Sequence, residues 1–267
     1  GRVWSNIIGI AVCTSLLMSA FGINDSISLV AERQYGQIHK YQAVVNIDQN
    51  ASRTQKRTAL DKLSQTAGVS EYLQAYRSSI YISSNNGEEN TYVMVPQDTE
   101  KLKDYISLIS ENSNSMFDLN DNGILISQKL AQKLKVKVGD EVSFKTGLQS
   151  EPTGNVKIAG IVKNYVYDYC YMTPNIYKQL FNISASLNAV LIKTDNSVPD
   201  DVLKNQFMSA EGIETVTMQS EGKAQLLKMV TSLRYVIITL AAAAVLLTAV
   251  ALYALNDLNT TGRKRDI

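Results

Sequence analysis

Apolar positions are spread unevenly along the 267 residues. They gather into two runs near the ends, Val3 to Ile23 (VWSNIIGIAVCTSLLMSAFGI) and Tyr235 to Leu255 (YVIITLAAAAVLLTAVALYAL), and neither run holds an Asp, Glu, Lys or Arg. At about 1.5 Å per residue each makes about 30 Å of helix, the hydrocarbon thickness of a bilayer, so both runs predict membrane spans. The first is flecked with Ser5, Asn6, Thr14, Ser15 and Ser19. Lipid offers such groups no hydrogen-bond partner, so they need protein neighbours. Small residues recur at spacings of four (Ser5, Gly9, Cys13 and Ala11, Ser15, Ser19), and Ala243 and Ala251 share a side with Leu247 between them. That spacing lets helices approach closely. A signal peptide is the rival for the first run, but its apolar stretch is longer than a signal core and no small-x-small site closes it.

Between the runs the period of the pattern alternates between about two and about 3.6 residues. Tyr41 to Ile47 reads as a strand, and Ser52 to Thr66 as a helix with Leu60 and Leu63 on its apolar side. SSIYIS and NTYVMV flank NNGEE as a hairpin in which Gly87 supplies a positive φ. Thr99 to Ser110 predicts a helix with Leu102, Tyr105, Ile106 and Ile109 on one side. Asn120 to Phe144 reads strand, helix, tight turn at Gly139-Asp140, strand, with Ser127 placed to cap the helix. Val156 to Val166 is a strand pair or one bent strand, and Thr173 to Phe181 a short helix with Pro174 in its first turn. A strand at NAVLIKT, a helix ending at Gly212 and a strand at ETVTM complete the series.

The resulting fold class is α+β: two transmembrane helices flanking a two-lobed mixed α/β body on a helical stalk. The expected organisation is a span with its flank (1–25), an outer domain (26–234, lobes about 38–118 and 119–220), a second span (235–256) and a cytoplasmic segment (257–267). The apolar positions after the first span and before the second allow both helices to continue outside the membrane. The stalk is marked by Ala31 and Tyr35 on one side and Gln225 and Met229 on the other.

Charge sets the topology. The formal net charge is only +1 and the mean hydropathy −0.08; without a basic stripe, nucleic acid is not an expected partner. Arg2 precedes the first run, and Arg263, Lys264 and Arg265 follow the second. Short Lys/Arg-rich flanks stay in the cytoplasm, so both ends lie inside and residues from about 26 to 234 outside.

Candidate chemistry is sparse. Cys13 and Cys170 sit in different environments and do not suggest a bridge. No Gly-rich loop ends in Lys-Ser or Lys-Thr, so the chain has no phosphate loop of its own. His39 is the single histidine, with no Cys or His at ligand spacing, and any nucleophilic triad would have to be built on it. Asp118, Asp121, Asp140 and Glu141 fall at expected turns, where carboxylates form turns and meet solvent. YVYDYCY, Tyr165 to Tyr171, reads as a half-buried strand edge or a contact surface. No catalytic, cofactor or metal residue is assigned, and the chain is not expected to be an enzyme.

The segments ILISQKLAQKLKVKVGDEVSF, VKIAGIVKNYV and YMTPNIYKQLF, taken in order, resemble the outer domain of FtsX-like (MacB-type) ABC transporter permeases. SNIIGIAVCTSLLMSAFGINDSI is similar to the first span of that family's four-helix unit. LYALNDLNTTGRKRDI is similar to its second span leading into a Glu-Arg-x-Arg-Glu-Ile motif. Arg263, Arg265, Asp266 and Ile267 match that motif, with Gly262 where Glu is usual and Asp266 in place of Glu. The resemblance is nearest to the two-unit permeases of Gram-positive bacteria and implies that the chain is a fragment continuing beyond Ile267. It implies a MacB-like periplasmic core domain in a multi-pass cell-membrane protein that couples ATP hydrolysis by a partner ATP-binding subunit to movement outside. Arg263, Lys264, Arg265, Asp266 and Ile267 would begin the ATPase-coupling segment. The implied partners are that subunit, the rest of the permease or a second copy, the lipid bilayer, and outside a peptide, lipoprotein or cell-wall hydrolase. A bacterial transmembrane sensor receptor with an extracellular ligand-binding domain shares the two-span layout and is the alternative. An anchored surface enzyme would need an active site that the residues do not supply.

Overall fold

The computed structural model describes residues 2–147 and 151–263. Contacts divide the chain into two units, Gly1–Ala31 with Ala224–Ile267, and Glu32–Lys223. The first helix, α1 (Arg2–Glu32), passes into a π-helical turn at Arg33–Ile38. That turn is closed by the His39 N–H on the Gln34 carbonyl five residues back (2.9 Å). A π turn is a one-residue widening of a helix and is frequent at functional sites.

Strand β1 (Ala43–Ile47) leads to α2 (Arg53–Gln65). Ser52 and Gln55 start α2 with a reciprocal cap, each side chain bonded to the other's backbone N–H. The hairpin β2 (Val69–Ser84) and β3 (Gly87–Pro96) follows, with φ +156° at Gly87. Helix α3 covers only Thr99–Tyr105 of the expected Thr99–Ser110. Ile106 is already extended (φ −136°, ψ 124°) and bridges His39, while the Ser107 N–H bonds the Ile38 carbonyl (2.8 Å). Strand-like pairing of β-branched Ile106 with the incoming chain, and of Ile109 with Met116, overrides the helical spacing there.

Next come β4 (Ile124–Ser127), α4 (Gln128–Leu134), β5 (Glu141–Lys145), β6 (Val156–Val162) and β7 (Tyr169–Tyr171). The Ser127 hydroxyl makes no cap to α4; it accepts instead from the Tyr169 N–H (3.3 Å). Helix α5 (Pro174–Phe181) carries the expected Pro in its first turn and is capped by Thr173. Strand β8 (Ala189–Thr194), α6 (Asp200–Met208) and β9 (Ile213–Met218) lead into α7 (Gln219–Arg263). Helix α6 stops short of Gly212, whose φ of +86° makes the turn into β9.

The strands close on themselves. Strands β2, β3, β7, β4, β6 and β5 pair in succession and β5 returns to β2, so six strands form a ring. The first half of β2 leaves the ring to pair with β8, and β1 and β9 follow, all antiparallel. At about 3.3 Å per residue, the 16 residues of β2 are long enough to serve both. Strands from both expected stretches, 38–118 and 119–220, take part in the ring.

The period of two sorts side chains into separate cores. On β1, Ala43, Val45 and Ile47 join Leu63 of α2 and Phe207 of α6, whereas Val44 faces the other way. On β7, Cys170 joins the core around Phe144 and Leu130, whereas Tyr169 and Tyr171 join the one around Tyr105 and Leu102. Strand β7 therefore lies between β3 and β4 with both faces buried, which corrects the strand-edge reading of YVYDYCY for its last three residues; Tyr165–Asp168 form the half-buried loop before it.

Helices α1 and α7 contain the two apolar runs. Among the described residues no helix is long and apolar enough to cross a membrane, and many side chains of both runs are not among those described. The expected coupling residues Lys264, Arg265, Asp266 and Ile267 lie outside the described residues, as does the Arg263 side chain.

Candidate functional site: a buried polar node

Within Glu32–Lys223, the chain comes in through the π turn and leaves through the first turn of α7. Both meet the loop between β6 and β7 at a cluster of buried amides around His39. Gln34 is fully buried and Asn164 is 5% exposed. The Gln34 Oε1 accepts from the Tyr165 N–H (2.8 Å) and the Val166 N–H (3.3 Å). Those two donors fix the orientation of the amide, so Nε2 must point the other way. There it donates to Asn164 Oδ1 (2.8 Å) and to His39 Nε2 (3.0 Å). Asn164 in turn donates to the carbonyls of Val166 and Tyr167 (2.8 Å each), bracing a loop in which Tyr167 takes φ +61°.

This chain of bonds decides the histidine tautomer. Nε2 accepts, so the neutral ring carries its proton on Nδ1, which faces Gln219 Oε1 (3.4 Å) and the Tyr41 hydroxyl (3.3 Å). The ring stacks on Tyr41 (centroids 5.0 Å) and meets the Tyr35 ring in a T-shaped contact (6.1 Å). Burial lowers the His39 pKa to about 4; the Gln219 bond acts the other way, and the Arg77 charge adds to the lowering. Burial likewise raises the Tyr41 hydroxyl far above its ordinary value.

Arg77, from β2, supplies the nearby charge. Its guanidinium lies over the Tyr92 ring (4.6 Å) and donates to the Tyr169 hydroxyl (3.1 Å). The Tyr169 and Tyr171 rings stack (5.7 Å). The start of α7 is tied down as well. Its Gln219 N–H bonds the Gln42 carbonyl (2.8 Å), Ser220 bonds Asp200 of α6, and Glu221 pairs with Lys204 (2.6 Å). At Gly222 an added Cβ would lie 2.6 Å from the Tyr35 hydroxyl oxygen, so the absence of a side chain there lets Tyr35 seat against α7.

Among the residues marked as stalk from sequence, Tyr35 lies in this node, half-buried. Ala31 is fully buried, and Gln225 and Met229 are exposed on α7. Gln34, Tyr41, Asn164 and Gln219 were not singled out by the sequence, because a lone amide in a polar stretch carries no signal of burial. Among the described residues the hydrogen-bond partners of the His39 ring are amides and a phenol, with no Ser, Cys or carboxylate bonded to it. The arrangement suits holding segments together and is not poised for acyl transfer.

A second concavity, an open groove of about 1410 Å³, runs between the first half of β2, α3 and the loops at Asp118–Asp121 and Thr173–Asn175. Two of its carboxylates are occupied by local bonds. Asp98 accepts the N–H groups of Glu100 and Lys101. Asp121 accepts from Thr173 and Asn175, which lowers its pKa. Among the described residues no group of three His, Cys, Asp or Glu side chains gathers to hold a metal ion.

The fold is similar to the crystal structure of the periplasmic region of MacB from Actinobacillus actinomycetemcomitans (10% identity, TM-score 0.43, 71% of this chain and 94% of that one). It is also similar to the extracellular domain of the noncanonic ABC-type transporter YknZ from Gram-positive bacteria (15% identity, TM-score 0.41, 66% and 98%). No curated protein sequence matches the chain. Residues 4–209 match the family model of the MacB-like periplasmic core domain, and the chain belongs to that family, a component of MacB/FtsX-like ABC transporter permeases.

Proposed function

We propose that this chain is part of an ABC transporter permease that transmits ATP hydrolysis by a partner subunit in the cytoplasm to its domain outside. In this reading the uncharged runs 3–23 and 235–255 span the cell membrane, both flanks are cytoplasmic, and residues from about 26 to 234 lie outside. Arg263, Lys264, Arg265, Asp266 and Ile267 begin the segment that meets the ATP-binding subunit. The output is movement of the outer domain, with α1 and α7 as the transmitting helices.

The observation that carries the reading is the node. The incoming π turn is bonded to the β6–β7 loop by buried side-chain contacts through Gln34 and Asn164, and His39 at its end reaches the outgoing α7 through a part-buried contact with Gln219 (3.4 Å). A passive tether has no need of buried polar bonds, each of which must outweigh the desolvation of its groups. A force arriving along either helix would reach the six-stranded ring through the node.

The test is cysteine crosslinking between Ala31–Tyr35 and Gln225–Met229 in the complete transporter with its ATPase, apo, with ATP and with a trapped hydrolysis intermediate. Crosslinking yields that change with nucleotide state are expected. Yields that stay constant in all three states, in a complex that still hydrolyses ATP, would refute transmission.

A further inference from the structure

His39 is the single histidine of the chain, and its surroundings admit only one protonation state. The Gln34 amide is oriented by the Tyr165 and Val166 N–H groups, so its own N–H faces His39 Nε2 (3.0 Å). A proton on Nε2 would set two donors head to head, with no acceptor between them. The amide cannot flip to help. Flipping would turn its NH2 toward the two backbone N–H groups and its oxygen toward Asn164 Oδ1, breaking three further bonds to mend one.

No other group around the ring supplies an acceptor for a proton on Nε2. Tyr35 of the π turn meets the ring in a T-shaped contact and Tyr41 stacks on it; a ring face attracts a cation weakly but does not replace the missing acceptor. Ile106, at the end of α3, is its backbone bridge partner. Gln219 of α7 already takes the Nδ1 proton, and Asn164 and Tyr165 of the β6–β7 loop are engaged with Gln34. The charge acting from β2 is Arg77, of the same sign as an imidazolium, and it is held in place by Tyr92 and Tyr169. Burial works in the same direction.

We infer that the node is an acid-sensitive latch. Protonation of His39 releases the segment Arg33–His39 from the Asn164–Tyr167 loop and from Gln219, while the six-stranded ring stays closed. The ring cluster holds no histidine, and its titratable members, Cys170 and Tyr177, are both raised by burial and stay neutral in acid. The sign follows from linkage. The folded pKa of about 4 lies below the ordinary 6.5, so the open form binds the proton more readily. The contribution of His39 to closure is fully present above pH 6.5, declines as pH falls from 6.5 to 4, and is lost below. Opening should rise roughly tenfold per pH unit across that window, roughly 300-fold in all.

The experiment uses the full chain in detergent micelles. The ring of His39 is followed by NMR, which a single histidine makes unambiguous. Hydrogen exchange is followed at residues 33–39 and 164–167, with the ring strands 124–127 and 169–171 as reference, each corrected for intrinsic pH dependence. The latch predicts a ring midpoint near 4 and a loss of protection confined to the node between pH 6.5 and 4. His39→Gln, checked for folding by protection of the ring strands at pH 7, should abolish the acid step in the node. A ring midpoint near 6.5 would overturn the inference. So would node and ring strands opening together, or a folded His39→Gln chain that opens over the same pH window. Should His39→Gln not fold, the native titration and exchange decide the matter alone.

Discussion

Phe144 and Gln34 are both fully buried in the same folded unit, yet opposite chemistry surrounds them. Around Phe144 the neighbours are Ile82, Ile126, Val142 and the Phe181 ring at 6.3 Å, an apolar cluster that two helices cover. Around Gln34 every contact that matters is a directed hydrogen bond to Asn164, His39 or a loop N–H. Apolar packing is tolerant in direction, because many weak contacts share the load. A buried amide network fixes one geometry and costs free energy as soon as one partner leaves. The ring cluster therefore sets how stable the unit is. The node sets where the incoming segment sits, and it can be opened by a single proton or a single lost bond.

Truncation of the ring core tests the first half of that contrast with the largest effect. Phe144→Ala should cost about 3–5 kcal/mol, the range for emptying a buried aromatic site. The measurement is the denaturant midpoint of the full chain in detergent, and protection should fall in the ring and the node together. A loss below about 1 kcal/mol would mean the ring is not the stabilising body.

Gln34→Ala comes second, at about 2–3 kcal/mol, because it strips an acceptor from two backbone N–H groups and a donor from both Asn164 and His39. Its signature is local: faster exchange at Tyr165 and Val166 with the ring strands little changed. If exchange rises evenly across the unit, the node is merely another piece of the core.

Legibility from the sequence follows the same divide. The apolar period placed β1, α2 and α5 within two residues, because burying a face leaves a repeating trace, and it found the hairpin turn but not the first half of β2, which begins at Val69, well before SSIYIS. Ile106 and Ile109 fit a helical face by spacing, yet Ile106 and Ser107 pair with His39 and Ile38, more than sixty residues earlier. Ser127 fits a cap by position but spends its hydroxyl on Tyr169. The closed ring was not legible, since it depends on β5 returning to β2 across about sixty residues. Gln34, Asn164 and Gln219 were invisible for a related reason: an amide shows its importance only through partners distant in sequence. His39 stood out solely because no other histidine competes with it.

Tyr169→Phe probes the border between the two regions, since its ring packs in the core and its hydroxyl accepts from Arg77 (3.1 Å). Loss of the hydroxyl should cost about 1–2 kcal/mol, with Arg77 kept in place by its stacking on Tyr92. An unchanged midpoint would show that stacking, and not the bond, holds the guanidinium.

The smallest net effect is expected at Gly222, and it is the most informative about geometry. Two terms oppose there. Alanine in place of glycine inside a helix stabilises by about 1 kcal/mol. The added Cβ, however, would lie 2.6 Å from the Tyr35 hydroxyl oxygen and 3.0 Å from the ring carbon bearing it, so the phenol must move. Crowding of this kind costs typically about 1–3 kcal/mol, and less where the displaced atom is the end of a side chain. Gly222→Ala should thus change the midpoint by no more than about 1 kcal/mol while shifting the Tyr35 ring and its edge contact with His39. In a Tyr35→Phe background the nearest atom is gone, and Gly222→Ala should become neutral or mildly stabilising. The double-mutant cycle should show a coupling of about 1 kcal/mol. Additive effects would mean that Tyr35 is free to turn away. The crossing of incoming and outgoing segments would then rest on the hydrogen bonds of Gln34 and Gln219 alone.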